Sequence, residues 1–201
     1  MKRNLRSLPI SLAGGLALLA GCGGSDDATL ELMLMDAPPP GVTAVNIHVA
    51  AMQVHVVDKS KPGDADPGDT SIDDDSSWHS LTVDRSIDLV ARQGEGAAEV
   101  LGQLPLPEGK ITQIRLVIDT GKPNTATKNG VPCNLDVEKV ARKGIKIEHP
   151  FKALSLLPGK SHQVWVDFQL DKSLKEKGSC FELEPKLKLT HAKRDGQDEV
   201  L

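Results

Sequence analysis

The chain has 201 residues, 24 basic and 28 acidic, for a formal charge of -4. That balance argues against nucleic acid, whose phosphates require clustered Lys and Arg. Aromatic residues make up 2% of the chain and tyrosine is absent, which weakens any carbohydrate site built from several stacked rings.

The first 21 residues read as a cleaved secretory leader. Lys2, Arg3 and Arg6 precede an apolar run from Leu8 to Ala20 that is too short to span a bilayer comfortably. Leu19-Ala20-Gly21-Cys22 resembles the bacterial lipobox, in which the cysteine thiol takes a diacylglyceryl group and the freed amine a further acyl chain. Cleavage before Cys22 leaves 180 residues, enough for one domain with a real core. Three basic and no acidic residues depart with the leader, so the mature chain carries a formal charge of -7. An acidic chain is not drawn to anionic head groups, so the acyl chains at Cys22 must supply the membrane affinity. Each buried CH₂ contributes about 0.8 kcal/mol, and more than one chain anchors stably.

Gly23 to Ala28 form a short tether, at most roughly 20 Å long at about 3.5 Å per residue. Leu30, Leu32 and Leu34 then alternate with Glu31, Met33 and Met35 as a strand, stopped by the proline-rich turn at residues 36–41. Val45, Ile47 and Val49 share one face of the next strand, but after Ala50-Ala51 the apolar set moves to Met52, Val54 and Val56. That slip of one residue predicts a β-bulge; two separate strands would also produce it, though no turn residues stand there. Residues 58–77 read as a long acidic loop. The core resumes at Trp78 and Leu81, and Ile87 to Val90 read as a short strand. Leu104 to Gly109 predict a turn into a strand at 111–119, Gly121 to Cys133 a loop, and Leu135 to Val137 a weak strand. Ile145 and Ile147 mark another strand. In 162–170, Val164, Val166, Phe168 and Leu170 oppose Gln163, Trp165, Asp167 and Gln169. Asp171 to Lys177 fit one helical turn, and Phe181 to Leu189 a last strand in which Pro185 marks an edge or an unpaired position. Residues 192–201 read as a polar tail. About eight short strands without a long amphipathic helix predict an all-β fold, an antiparallel β-sandwich of prealbumin or immunoglobulin type.

The order of these segments resembles a known family. Leu34-Met35-Asp36-Ala37-Pro38, Val45-Asn46-Ile47 and Val54-His55-Val56 carry the likeness at the start, followed by Trp78, Asp88-Leu89-Val90 and Leu106-Pro107-Glu108-Gly109-Lys110. Gln113 to Val117, Gly144 to Ile147, Asp167-Phe168, Lys172-Ser173 and Phe181 to Pro185 complete it. Together they are similar to a bacterial lipoprotein family known only as domain of unknown function 4382, over nearly all of the mature chain. The resemblance implies a prealbumin-like β-sandwich on the cell envelope and transfers no catalytic residue. Lys110 and Ile111 depart from the pattern where an aromatic commonly follows the Pro-x-Gly turn.

Candidate sites are few. Cys133 and Cys180 form an even pair in an exported chain, which suits a disulfide; the alternative is two free buried thiols. Asp64, Asp66 and Asp69 open the acidic loop like a calcium site, because Ca²⁺ wants six to eight oxygens. The EF-hand template then fails, with Gly68 where a third ligand belongs and no closing glutamate, so a solvated loop is the competing reading. Met33, Met35, Met52, His48 and His55 offer copper donors, although the strand phase turns Met52 inward and the histidines outward. Trp165, on the polar face of its strand, is a candidate ligand-stacking residue, with packing under a loop as the competing reading. Arg115 and Asp167 could pair across the sheets. Neither a Gly-x-Ser-x-Gly elbow nor a His-Glu-x-x-His helix occurs.

The expectation is therefore a non-enzymatic binding or scaffolding lipoprotein, with an envelope protein or glycan as partner. The alternatives are a periplasmic calcium- or copper-binding protein and a small envelope hydrolase. Gly23, rather than the aspartate that resembles an inner-membrane retention signal, favours the outer membrane.

Overall fold

The computed structural model describes residues 27–36, 39–57, 77–141, 144–147 and 154–200. Cys22, the tether before Asp27 and nearly all of the acidic loop, with Asp64, Asp66 and Asp69, lie outside them.

Two main sheets share one apolar core. Sheet I has five strands: β1 (Ala28–Met35), β4 (Glu99–Leu106), β10 (Ser161–Asp167), β13 (Lys188–Arg194) and β14 (Gln197–Asp198), in the order β14-β13-β10-β1-β4. Sheet II is built on the 16-residue β2 (Val42–Val57). It pairs with β3 (Trp78–Asp88), β5 (Gly109–Ile118) and β6 (Thr125–Lys128); β7 (Val131–Asn134) extends β6, while β8 (Ile145–Lys146) and β9 (Leu154–Leu156) pair with β5. A separate hairpin joins β11 (Leu174–Lys177) to β12 (Cys180–Leu183). Two single helical turns, α1 (Glu138–Ala141) and α2 (Leu170–Ser173), connect strands.

Alternation explains which faces meet. Leu30, Leu32 and Leu34 of β1 and Val164 and Val166 of β10 are fully buried, as are Val45, Ile47, Val49, Met52 and Val54 of β2. They belong to one contiguous cluster with Ile114, Leu116 and Phe168. The expected β-bulge is present: the pairing of β2 with both β3 and β5 shifts register between Val49 and Ala51. The extra residue restores Met52, Val54 and Val56 to the core side. Gly102 (φ 143°) marks a second irregularity, where a Cβ would lie 2.7 Å from Leu81 Cδ2. Its bare backbone lets β4 of sheet I approach β3 of sheet II.

Several expectations need correction. The described residues hold fourteen strands, not about eight, because seven of them are two to four residues long, too short to show a period. Pairing is not wholly antiparallel: β1 runs parallel to β10, Thr29 facing Ser161 and Met35 facing Asp167. The strand expected from Phe181 to Leu189 is two, β12 and β13, broken around Pro185, whose missing amide hydrogen cannot continue a ladder. Ala192 to Asp198 are not a tail; they complete β13 and turn back through β14. Leu104 to Leu106 belong to β4, with Pro105 opposite Thr29.

Candidate functional site

Cys133 and Cys180 form a disulfide, with Cα atoms 5.7 Å apart. It joins β7 to β12 and so ties the β11–β12 hairpin to the edge of sheet II. Charges reinforce the junction. Lys139 of α1 contacts Glu182 at 2.7 Å and Glu184 at 2.5 Å, and Lys177 pairs with Asp136 and Glu182. These contacts hold the Asp136 and Glu182 carboxyls below their usual range, through hydrogen bonds from Lys177 and Lys139 respectively.

The hairpin forms one wall of a recess. Pro39, Pro40 and Gly41 line it from the β1–β2 turn, Lys128 and Asn129 from the β6–β7 turn, and Leu170, Leu174, Glu176 and Phe181 from the other side; it encloses about 220 Å³. Leu170 and Phe181 back it and are buried, so most of the surface it presents is polar, Asp171 included. On the rim, Lys128 Nζ lies 2.7 Å from Glu176 Oε1 and 5.0 Å from the centre of the Phe181 ring. The lysine lowers the Glu176 carboxyl. A small recess of mostly polar surface, with Asp171 and the Lys128–Glu176 pair in its walls, can seat a small polar group. Asp36 steadies α2 behind it, its Oδ1 accepting the Leu170 amide hydrogen at 3.0 Å. Sequence reading missed this recess because its parts come from four distant segments.

The other predicted residues do not converge. Trp165 is buried. It faces away from the core, with Met33 and His191 opposite it on the neighbouring strands. The His191 ring stands edge-on at 5.0 Å and Lys193 Nζ lies 5.1 Å from the Trp165 ring centre. The Arg115–Asp167 pair is not formed. Asp167 Oδ1 accepts the Gln169 amide hydrogen at 3.3 Å, while Arg115 sits on sheet II. The candidate copper donors divide likewise, Met33 and Met35 on sheet I, and Met52, His48 and His55 on sheet II. His48 Nε2 is 2.9 Å from Asp84 Oδ1, which lowers the Asp84 pKa through their hydrogen bond. Among the described residues no three His, Cys, Asp or Glu side chains come together as metal ligands. Asp167 stands on sheet I with His162 and His191, and Arg115 on sheet II with His48 and His55.

Alternation alone also hid a buried cluster on the outer face of sheet II. Arg115 lies there opposite Gln53 and Lys146, between the core residues Ile114 and Leu116, yet is only 3% exposed. Its guanidinium carbon stands 4.3 Å from the centre of the Trp78 ring. Trp78 in turn meets the His55 ring edge-on at 5.1 Å, and His55 is within 2.5 Å of Thr112 Oγ1 and 2.9 Å of Ser77 Oγ. Gly144 (φ 62°) closes over the arginine stem; a Cβ there would lie 2.7 Å from both Cγ and Cδ. Burial lowers the Arg115 pKa, which starts high enough to keep the group charged.

Residues 27–185 match the family described as Domain of unknown function (DUF4382). The chain belongs to that family. The DUF4382 match covers sheet II, the recess, the Arg115 cluster and β1, β4 and β10 of sheet I, and ends before β13 and β14. A comparison with curated proteins finds no match.

Proposed function

We propose that this DUF4382 protein is a lipid-anchored binding module of the bacterial cell envelope, a prealbumin-like β-sandwich held by acylated Cys22 in the outer membrane. The observation that carries the binding role is the recess beside the disulfide. It sets Asp171 and the Lys128–Glu176 pair over a backing of Leu170, Leu174 and Phe181. Nothing in that set is a nucleophile with an adjacent base, so the recess suits holding rather than converting a ligand. The leader ending at Cys22 supports the anchored address, and the disulfide is the cross-link an oxidising compartment preserves.

A photoreactive residue replacing Asn129, on the recess rim, tests the binding role in living cells. The expected result is a discrete, light-dependent adduct with one envelope component. The same residue replacing Asp198, on β14, should give none. Equal adducts from both positions, or none from Asn129, would contradict the proposal.

A further inference from the structure

We propose that Arg115 and Trp78 form an oxyanion-binding site on the outer face of sheet II, separate from the recess. Two side-chain nitrogens of Arg115 lack partners. Nε and Nη2 are both buried and meet no hydrogen-bond acceptor among the described residues. These two nitrogens lie on one edge of the guanidinium plane, the edge that grips a carboxylate or a phosphoryl group with two parallel N–H···O bonds. A buried arginine is ordinarily paired, because an uncompensated charge away from water is costly. The chain carries 28 acidic residues, yet no described carboxylate reaches this fork.

The surroundings hold the fork still. Trp78 covers a face of the guanidinium at 4.3 Å, so a ligand must approach in its plane, where the two N–H groups point. The Gly144 backbone packs on the stem at a spacing that admits no side chain. A fork oriented before the ligand arrives loses little rotational freedom on binding. The ligand class is an oxyanion that presents two oxygens, either a carboxylate or a phosphate or sulfate group. Sites of this kind recognise the acidic end of a larger molecule as readily as a free ion.

Trp78 and Trp165 are the only tryptophans, so a Trp165→Phe version of the full mature chain reports on Trp78 alone. Its fluorescence is followed during titration with acetate, inorganic phosphate or sulfate, against sodium chloride at matched ionic strength. The expected result is a saturating change with an oxyanion and none with chloride. Acetate as the stronger ligand would assign a carboxylate, and phosphate or sulfate a tetrahedral anion. Arg115→Lys keeps the charge without the fork and should weaken binding at least tenfold; Arg115→Met should abolish it. An identical response to chloride, no saturation, or unchanged binding in Arg115→Met would overturn the site. If the variants do not fold, the ¹⁵N signal of the Arg115 Nε–H group in the unsubstituted protein decides. It should shift with the oxyanion and not with chloride, and a resonance that ignores both overturns the proposal.

Discussion

Histidine 162 shows how one buried side chain sets a response to acid. It lies on the inward side of β10, is 2% exposed, and accepts the Leu157 amide hydrogen at Nε2 over 3.4 Å. Burial lowers its pKa from 6.5, and the nearby carboxylate of Glu199 offsets this only in part. A histidine with a lowered folded pKa takes up its proton more readily when unfolded. Stability should therefore fall as pH drops below 6.5 and hold steady above it. Urea denaturation between pH 7.5 and 5 should show that decline in the native chain and a shallower one in His162→Gln. The remaining slope belongs to His79, whose pKa burial also lowers. Equal slopes would show that His162 does not titrate with folding. The residue scale is also where sequence reading reached least. Alternation correctly put Arg115 and Trp165 on the faces opposite the core. Both are buried all the same, because alternation gives the side of a strand and says nothing about what folds over that side.

The hairpin of β11 and β12 belongs to neither main sheet and depends on its attachments. The disulfide spans 47 residues, and closing such a loop removes about 4 kcal/mol worth of unfolded-chain entropy. Replacing both cysteines with serine should lower stability by up to that amount, read as a lower denaturation midpoint; an unchanged midpoint would mean the charges alone suffice. The charges make a second, acid-sensitive attachment. Asp136 and Glu182 have pKa values lowered from 3.8 and 4.5. Their contribution is complete above those ordinary values and is lost as pH falls through the lowered ones. A Lys139→Ala/Lys177→Ala variant should be less stable than the native chain at pH 7 and match it near pH 2. The effect is small, because these groups are exposed to solvent and salt. A difference that persists at pH 2 would point to lost packing of the lysine stems. At this scale the sequence was legible where strands were long. The β-bulge in β2 followed from its change of phase, whereas the unpaired position expected at Pro185 is a break between two strands. The β6–β7 hairpin was missed, although Asn129-Gly130, both at positive φ, is the dipeptide that two-residue hairpin turns favour. Its flanking strands are four residues each and too mixed in polarity to show a period.

For the whole molecule, composition and alternation sufficed for an all-β domain with one core, and the order of segments sufficed for the DUF4382 family. Sheet order did not follow. The parallel pairing of β1 with β10 joins segments more than 130 residues apart, and nothing local in either strand specifies its partner. The recess and the Arg115 cluster escaped for the same reason: each gathers residues whose proximity exists only in the fold. The account nevertheless turns on a residue before the first described strand. If Cys22 is acylated, the domain works within a short tether of the membrane, and its recess and the oxyanion site face envelope components. Mass spectrometry of the mature N-terminal peptide, isolated from bacterial membranes, tests this most directly. The account predicts a chain that begins at Cys22 and carries a diacylglyceryl group on sulfur. An intact Met1 leader, or a mature chain beginning elsewhere with an unmodified Cys22, would contradict it.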